Sequence, residues 1–206
     1  MRTLVASRAH CSRCGRALAG CWCGCVRRVE NPLPVLILQH PDEASQAKNT
    51  GLLLSRCLTH VQLQVGDIAP APATTAGMVL LYPDLMTDAT QAAPAPWPNP
   101  GAQTLVVLDA TWRKSRRMMH LNPWLAALPR LSLTATPPSR YAIRRAHDVD
   151  QRSTLEACAL ALAQLDDAHP DRYEPLWAAM DAFVLLQQQL AREGRARREA
   201  GTSASG

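Results

Sequence analysis

Two kinds of apolar pattern alternate along the chain. Four short runs, VLILQ (35–39), VQLQV (61–65), MVLLY (78–82) and TLVVLD (104–109), are rich in Val and Leu and bounded by Pro, Gly or Asp, as strands are. VLIL and LVVL have no polar residue at alternate positions, which predicts parallel strands covered on both faces. RLSL (130–133) and RYAIRR (140–145) are weaker strand candidates. Helical patterns fall at 43–58 (weakened at Gly51), at 113–121 (stopped before Pro123), at 153–166 and at 171–194. Strands alternating with helices predict an α/β layered domain with a mostly parallel sheet. The proline-rich stretch 92–100 denies both helix and ladder and reads as a surface loop.

This pattern divides the chain into three segments. Residues 1–30 are cysteine-rich with little apolar periodicity, 31–191 carry the strand and helix alternation, and 192–206 are charged and then Gly/Ser-rich, which reads as a disordered tail. A chain of 206 residues that is 47% hydrophobic suffices for one packed domain with a small appendage. The apolar runs are too short to span a bilayer and the N-terminus lacks a secretory h-region, so the expectation is a cytoplasmic protein with no membrane partner. The net charge of +5 tilts the choice of partner toward an anion such as nucleic acid. Lys48 and Lys114 are the only lysines, and arginine suits bidentate phosphate contacts. The same arginine excess follows from codon bias in an alanine-rich chain, so the signal for RNA is weak.

Five of the seven cysteines fall between Cys11 and Cys25. An odd count without an export signal argues against a disulfide framework and for a metal. The spacing Cys11-x2-Cys14-x6-Cys21-x-Cys23 contains the knuckle pair that aims two thiolates at one tetrahedral ion, and four thiolates close a structural zinc site. Cys25 competes with Cys23 as the fourth ligand on spacing alone. Zinc would then hold a segment too short to build its own core, and the surrounding Arg13, Arg16, Arg27 and Arg28 are placed to touch RNA phosphates.

The most informative stretch is TLVVLDATWRKSRR (104–117). A doubly covered strand ends in Asp109, and ligands of open α/β sheets bind beyond the carboxyl ends of strands. A partly desolvated carboxylate there suits a general base; the competing reading makes Asp109 the cap of the following helix. Trp112 is either a stacking platform or a core aromatic. The next helix places Arg113, Arg117 and His120 on one face with Arg116 beside them, a grip for a phosphate backbone or a solvated face. Downstream, Arg140 and Arg144 share one side of an extended segment and are candidates to clamp a carboxylate or phosphate. Ser153-Thr154-Leu155-Glu156 matches a capping box, and the amides near Ser153 and Thr154 are candidates to hold a ligand carboxylate. Gln39 and His40 end another strand, and His40 is read as structural.

Together these segments resemble the DTW-domain family of tRNA-uridine aminocarboxypropyltransferases over nearly the whole chain. The resemblance is carried by the cysteine knuckle, QHPxE…NT from Gln39 to Thr50, Asp109-x-Thr111-Trp112, HLNPWL (120–125), SRYAIRR (139–145) and STLEA (153–157). It implies a SPOUT-like, knotted α/β sheet and transfer of the 3-amino-3-carboxypropyl group of S-adenosylmethionine (SAM) to N3 of a tRNA uridine. It further implies Asp109 as base, with Thr111, Trp112, Arg140, Arg144, Ser153 and Thr154 around SAM. Arg113, Arg116, Arg117 and His120 fall on the RNA side, and structural Zn2+ on Cys11, Cys14, Cys21 and Cys23. The rivals are a SPOUT-type RNA methyltransferase, which would release S-adenosylhomocysteine, and a non-enzymatic zinc-knuckle RNA-binding protein, which would not bind SAM.

Overall fold

The computed structural model describes residues 9–83, 103–133, 137–140, 152–166 and 168–203. Its centre is a five-stranded sheet in the order β2-β1-β4-β3-β5, formed by β1 (Val35–Gln39), β2 (Val61–Val65), β3 (Met78–Leu81), β4 (Thr104–Asp109) and β5 (Arg130–Leu131). Every pairing is parallel. The strands without polar alternation, β1 and β4, lie side by side in the interior of the sheet, and the alternating VQLQV run forms the half-buried edge strand β2. Two candidate strands come out shorter than the sequence predicts: β3 stops at Leu81, and β5 keeps two residues of 130–133.

Helices cover both faces. On one side, α2 (Thr50–Cys57), α5 (Thr154–Leu165) and α6 (Glu174–Ser203) share a core with Ile37, Leu105 and Val107. On the other, α3 (Trp112–Leu121) and α4 (Pro123–Ala126) pack Met118 and Leu125 against Leu38, Leu80 and Val106. Alternate residues of the central strands therefore feed two separate apolar layers.

Three expectations are corrected. The helix expected at 43–58 is two, α1 (Pro41–Ala44) and α2, because Asn49 caps a new start by accepting the amide of Leu52. Gly51 is no weak point there: it lies within α2, where the Asp109 carboxylate occupies the space a Cβ would need. The tail expected to be disordered is helical through Ser203. Its Ala, Arg and Glu residues are good helix formers, and Gln189 and Arg197 each bond Glu193 at i,i+4 spacing. The first thirty residues are also no separate appendage, since Cys14, Trp22, Cys25 and Val29 are buried in the same core as α5 and α6. The proline-rich 92–100 stretch, and 141–145 of the candidate strand at 140–145, lie outside the described residues.

Candidate functional site

Parallel registration sets Gln39 of β1 directly beside Asp109 of β4 at the carboxyl edge of the sheet. Both side chains are buried. Gln39 Nε2 donates to Asp109 Oδ2 (2.6 Å) and to Asn49 Oδ1 (3.0 Å), while Thr154 Oγ1 donates to Asp109 Oδ1 (2.5 Å). Thr154 opens α5 and Gly51 is the second residue of α2, so the carboxylate sits between two helix amino ends, whose dipoles favour negative charge. A Cβ on Gly51 would stand 2.3 Å from Asp109 Oδ2, which is why this turn needs glycine. Asp109 does not cap α3. That N-cap is Thr111, which makes no side-chain capping bond.

The carboxylate lies on the wall of a cavity of about 960 Å³ that is also lined by Thr111, Trp112, Ser153 and Thr154. Ligand pockets run to about 1,000 Å³, so the space is generous for one small molecule. Trp112 is 46% exposed and meets Tyr82 edge-on, with ring centroids 5.5 Å apart. Tyr82 in turn shares a hydrogen bond with Ser115 and carries the Arg130 guanidinium over its ring. So exposed, Trp112 is not a core aromatic. Lys114 reaches the same cavity and pairs with Glu43 (3.0 Å) and Asp42 (3.3 Å) of α1.

The other predicted residues fall into three groups. Ser153 and Glu156 form the capping box, and Glu156 also accepts the Ser139 hydroxyl and the Arg140 amide, tying residues 139–140 to the start of α5. The Arg140 side chain turns away from the cavity to α6, where it pairs with Asp181 and lies over Trp177; Arg144 is outside the described residues. Arg113, Arg116, Arg117 and His120 are all exposed on α3 and make no ion pair among the described residues. In the HLNPWL stretch, Asn122 is buried and structural: it accepts the Ala69 amide and donates to the carbonyls of Asp67 and Met118.

Four thiols, those of Cys11, Cys14, Cys21 and Cys23, lie within 4.8 Å of one another. The Cys11–Cys23 and Cys14–Cys21 sulfurs are 3.8 Å apart. Tetrahedral zinc with Zn–S bonds of about 2.3 Å separates its sulfurs by about 3.8 Å, whereas a disulfide needs about 2.05 Å. The donor set therefore fits zinc. Cys25 is buried in the main core outside this group, so Cys23 is the fourth member. Backbone amides of Cys14 and Arg13 lower the Cys11 pKa to about 6, while burial and the neighbouring thiols push Cys23 up to about 12. Such thiols share protons that a dication would displace. Of the nearby arginines, Arg27 and Arg28 bond backbone carbonyls, and Arg16 reaches the carbonyl of Gln46, a cavity-lining residue.

Sequence reasoning missed Gln39, Asn49, Gly51, Tyr82 and Lys114. QHPxE…NT pointed to the first two without assigning them a task. The glycine carried a misleading signal, because its value comes from a residue 58 positions away.

A family model described as the DTW domain matches residues 8–188. A Drosophila melanogaster protein named tRNA-uridine aminocarboxypropyltransferase 2 is 29% identical, over 77% of this chain and 67% of its own length. Proteins of the same name from Mus musculus and Macaca fascicularis are 28% and 27% identical, over 77% of this chain. The chain spans 57% of the length of each of these two mammalian relatives. No solved structure matches it.

Proposed function

The chain belongs to the DTW-domain family, and from that premise we propose that it is a tRNA-uridine aminocarboxypropyltransferase. In this reading it moves the 3-amino-3-carboxypropyl group of SAM to N3 of a tRNA uridine and releases 5′-methylthioadenosine. One observation carries the reading: Asp109 and Trp112 line one cavity with Thr154, 45 positions after Asp109, and the basic helix α3 leads away from it.

The residues divide the work as follows. The donor's sulfonium supplies an electrophilic γ-carbon and a neutral thioether leaving group. Uridine N3–H is a weak acid, and Asp109 accepts its proton as N3 bonds to that carbon; the C–S bond breaks with its electron pair remaining on sulfur. The bonds from Gln39 and Thr154 fix the orientation of the Asp109 carboxylate. Trp112 offers its exposed face to a ring, Thr111, Ser153 and Thr154 line the donor's space, and Arg113, Arg116, Arg117 and His120 meet the tRNA backbone. Cys11, Cys14, Cys21 and Cys23 would hold a structural zinc, with no position left open for chemistry. A SPOUT-like, knotted arrangement of the parallel sheet is part of the same reading. No helix among the described residues is long and apolar enough to cross a membrane.

Incubating the protein with tRNA and SAM, then analysing nucleosides and co-products by mass spectrometry, tests the proposal. Aminocarboxypropyl-uridine with 5′-methylthioadenosine is expected. S-adenosylhomocysteine would instead identify a methyltransferase, and undiminished product from Asp109→Ala would refute Asp109 as the base.

A further inference from the structure

The proposed donor ends in an amino acid whose ammonium and carboxylate are both charged near neutral pH, and both need partners once out of water. The amino end of α5 is already served by two carboxylates of the chain, Glu156 through the capping box and Asp109 through Thr154. The Ser153 amide and hydroxyl and the Thr154 hydroxyl are thereby committed to bonds within the chain. The Arg140 side chain is committed to Asp181 and Trp177.

Lys114 and Glu43 line the same cavity and bond each other at 3.0 Å, with side chains only 21% and 14% exposed. They are tied to the reacting edge. The His40 amide donates to the Asp109 carbonyl (3.0 Å), Asn49 Nδ2 donates to the Glu43 carbonyl (2.9 Å), and Asn49 Oδ1 accepts from the Gln39 that also bonds the Asp109 carboxylate. An ammonium has three N–H donors, and those of Lys114 go to Glu43 and Asp42, leaving one over; Glu43 Oε2 has no partner among the described residues. A cation and an anion thus face one space with bonding capacity in reserve, close to Asp109.

We propose that Lys114 and Glu43 form a clamp for the zwitterionic end of the donor, Lys114 donating to its carboxylate and Glu43 accepting from its ammonium. This rests on SAM being the donor. Burial pulls the Lys114 pKa down, but the bonds to Glu43 and Asp42 outweigh it and leave it raised, so the cation persists across the physiological range. Holding the amino-acid end fixes the arm that is transferred and leaves the S-methyl unheld.

The test is calorimetric binding of three probes to the full chain: SAM, S-adenosylhomocysteine, and 5′-methylthioadenosine, which has the adenosine but no amino-acid arm. Lys114→Met and Glu43→Gln should each weaken the first two by at least about tenfold, the loss of one charge-assisted hydrogen bond. Binding of 5′-methylthioadenosine should stay within about twofold. Lys114→Arg, which keeps the charge, should retain most of the SAM affinity. Equal weakening of all three probes would make the pair a structural strut between α1 and α3, and unchanged SAM affinity would likewise overturn the clamp. A native chain that binds none of the three would overturn the donor assignment and the clamp together, whereas native binding with unselective variants overturns the clamp alone.

Discussion

The chain holds two concentrations of anionic donors, and they are neutralised by opposite means. The cysteine cluster draws four thiols from thirteen consecutive residues and fits a cation supplied from outside. Asp109 draws its partners from the whole fold: Gln39, Thr154 and the amino ends of α2 and α5. If the first holds zinc as proposed, its order is conditional on metal supply, whereas that of the second is built into the sheet. A chelator should therefore strike one, and side-chain substitution the other.

The largest effect is expected from removing the metal. Structural zinc contributes about 10–16 kcal/mol in isolated fingers, and here its segment also buries Trp22 in the common core. Thermal melts with and without chelator should differ by many degrees, and identical curves would disprove a metal-dependent centre. Trp22→Ala should cost about 3–5 kcal/mol in denaturant titrations, the range for a buried aromatic; a cost near zero would mean the segment does not share the core. Gly51→Ala attacks the other centre. Its methyl group would drive into Asp109 Oδ2 and cost about 1–3 kcal/mol, with a larger fractional loss of tRNA modification than of stability. Gln39→Leu should cost about 1 kcal/mol for each of its two lost bonds, again with activity suffering more than fold. The smallest effect belongs to Arg117→Ala, which should leave stability within about 0.5 kcal/mol while lowering the slope of log affinity against log salt for tRNA by about 0.7–0.9.

The same contrast explains what the amino-acid sequence revealed. The cysteine centre is local, so spacing alone disclosed it, and only the choice between Cys23 and Cys25 required coordinates. Strands β1 and β4 were legible because burial on both faces removes every polar residue from their middles, and the capping box of α5 because Ser153 and Glu156 are three residues apart. Gly51 resisted because its role depends on a carboxylate brought alongside by strand registration. The Arg140 side chain could not be placed either, since an exposed arginine has several partners within reach and packing decides among them. The tail was misjudged because Gly and Ser near its end outweighed the helix formers before them.

The adjacency of β1 and β4 also bears on how the protein is made. Seventy residues separate Gln39 from Asp109, and a ribosome adding about 5–20 residues per second needs roughly 4–14 s to cover them. Throughout that interval the Leu36-Ile37-Leu38 strand has one side without its final neighbour, and loop closure over so long a separation is slow. The Asp109 surroundings close later still, because Thr154 and the helices α5 and α6 that cover this face of the sheet are the last parts of the fold to be made.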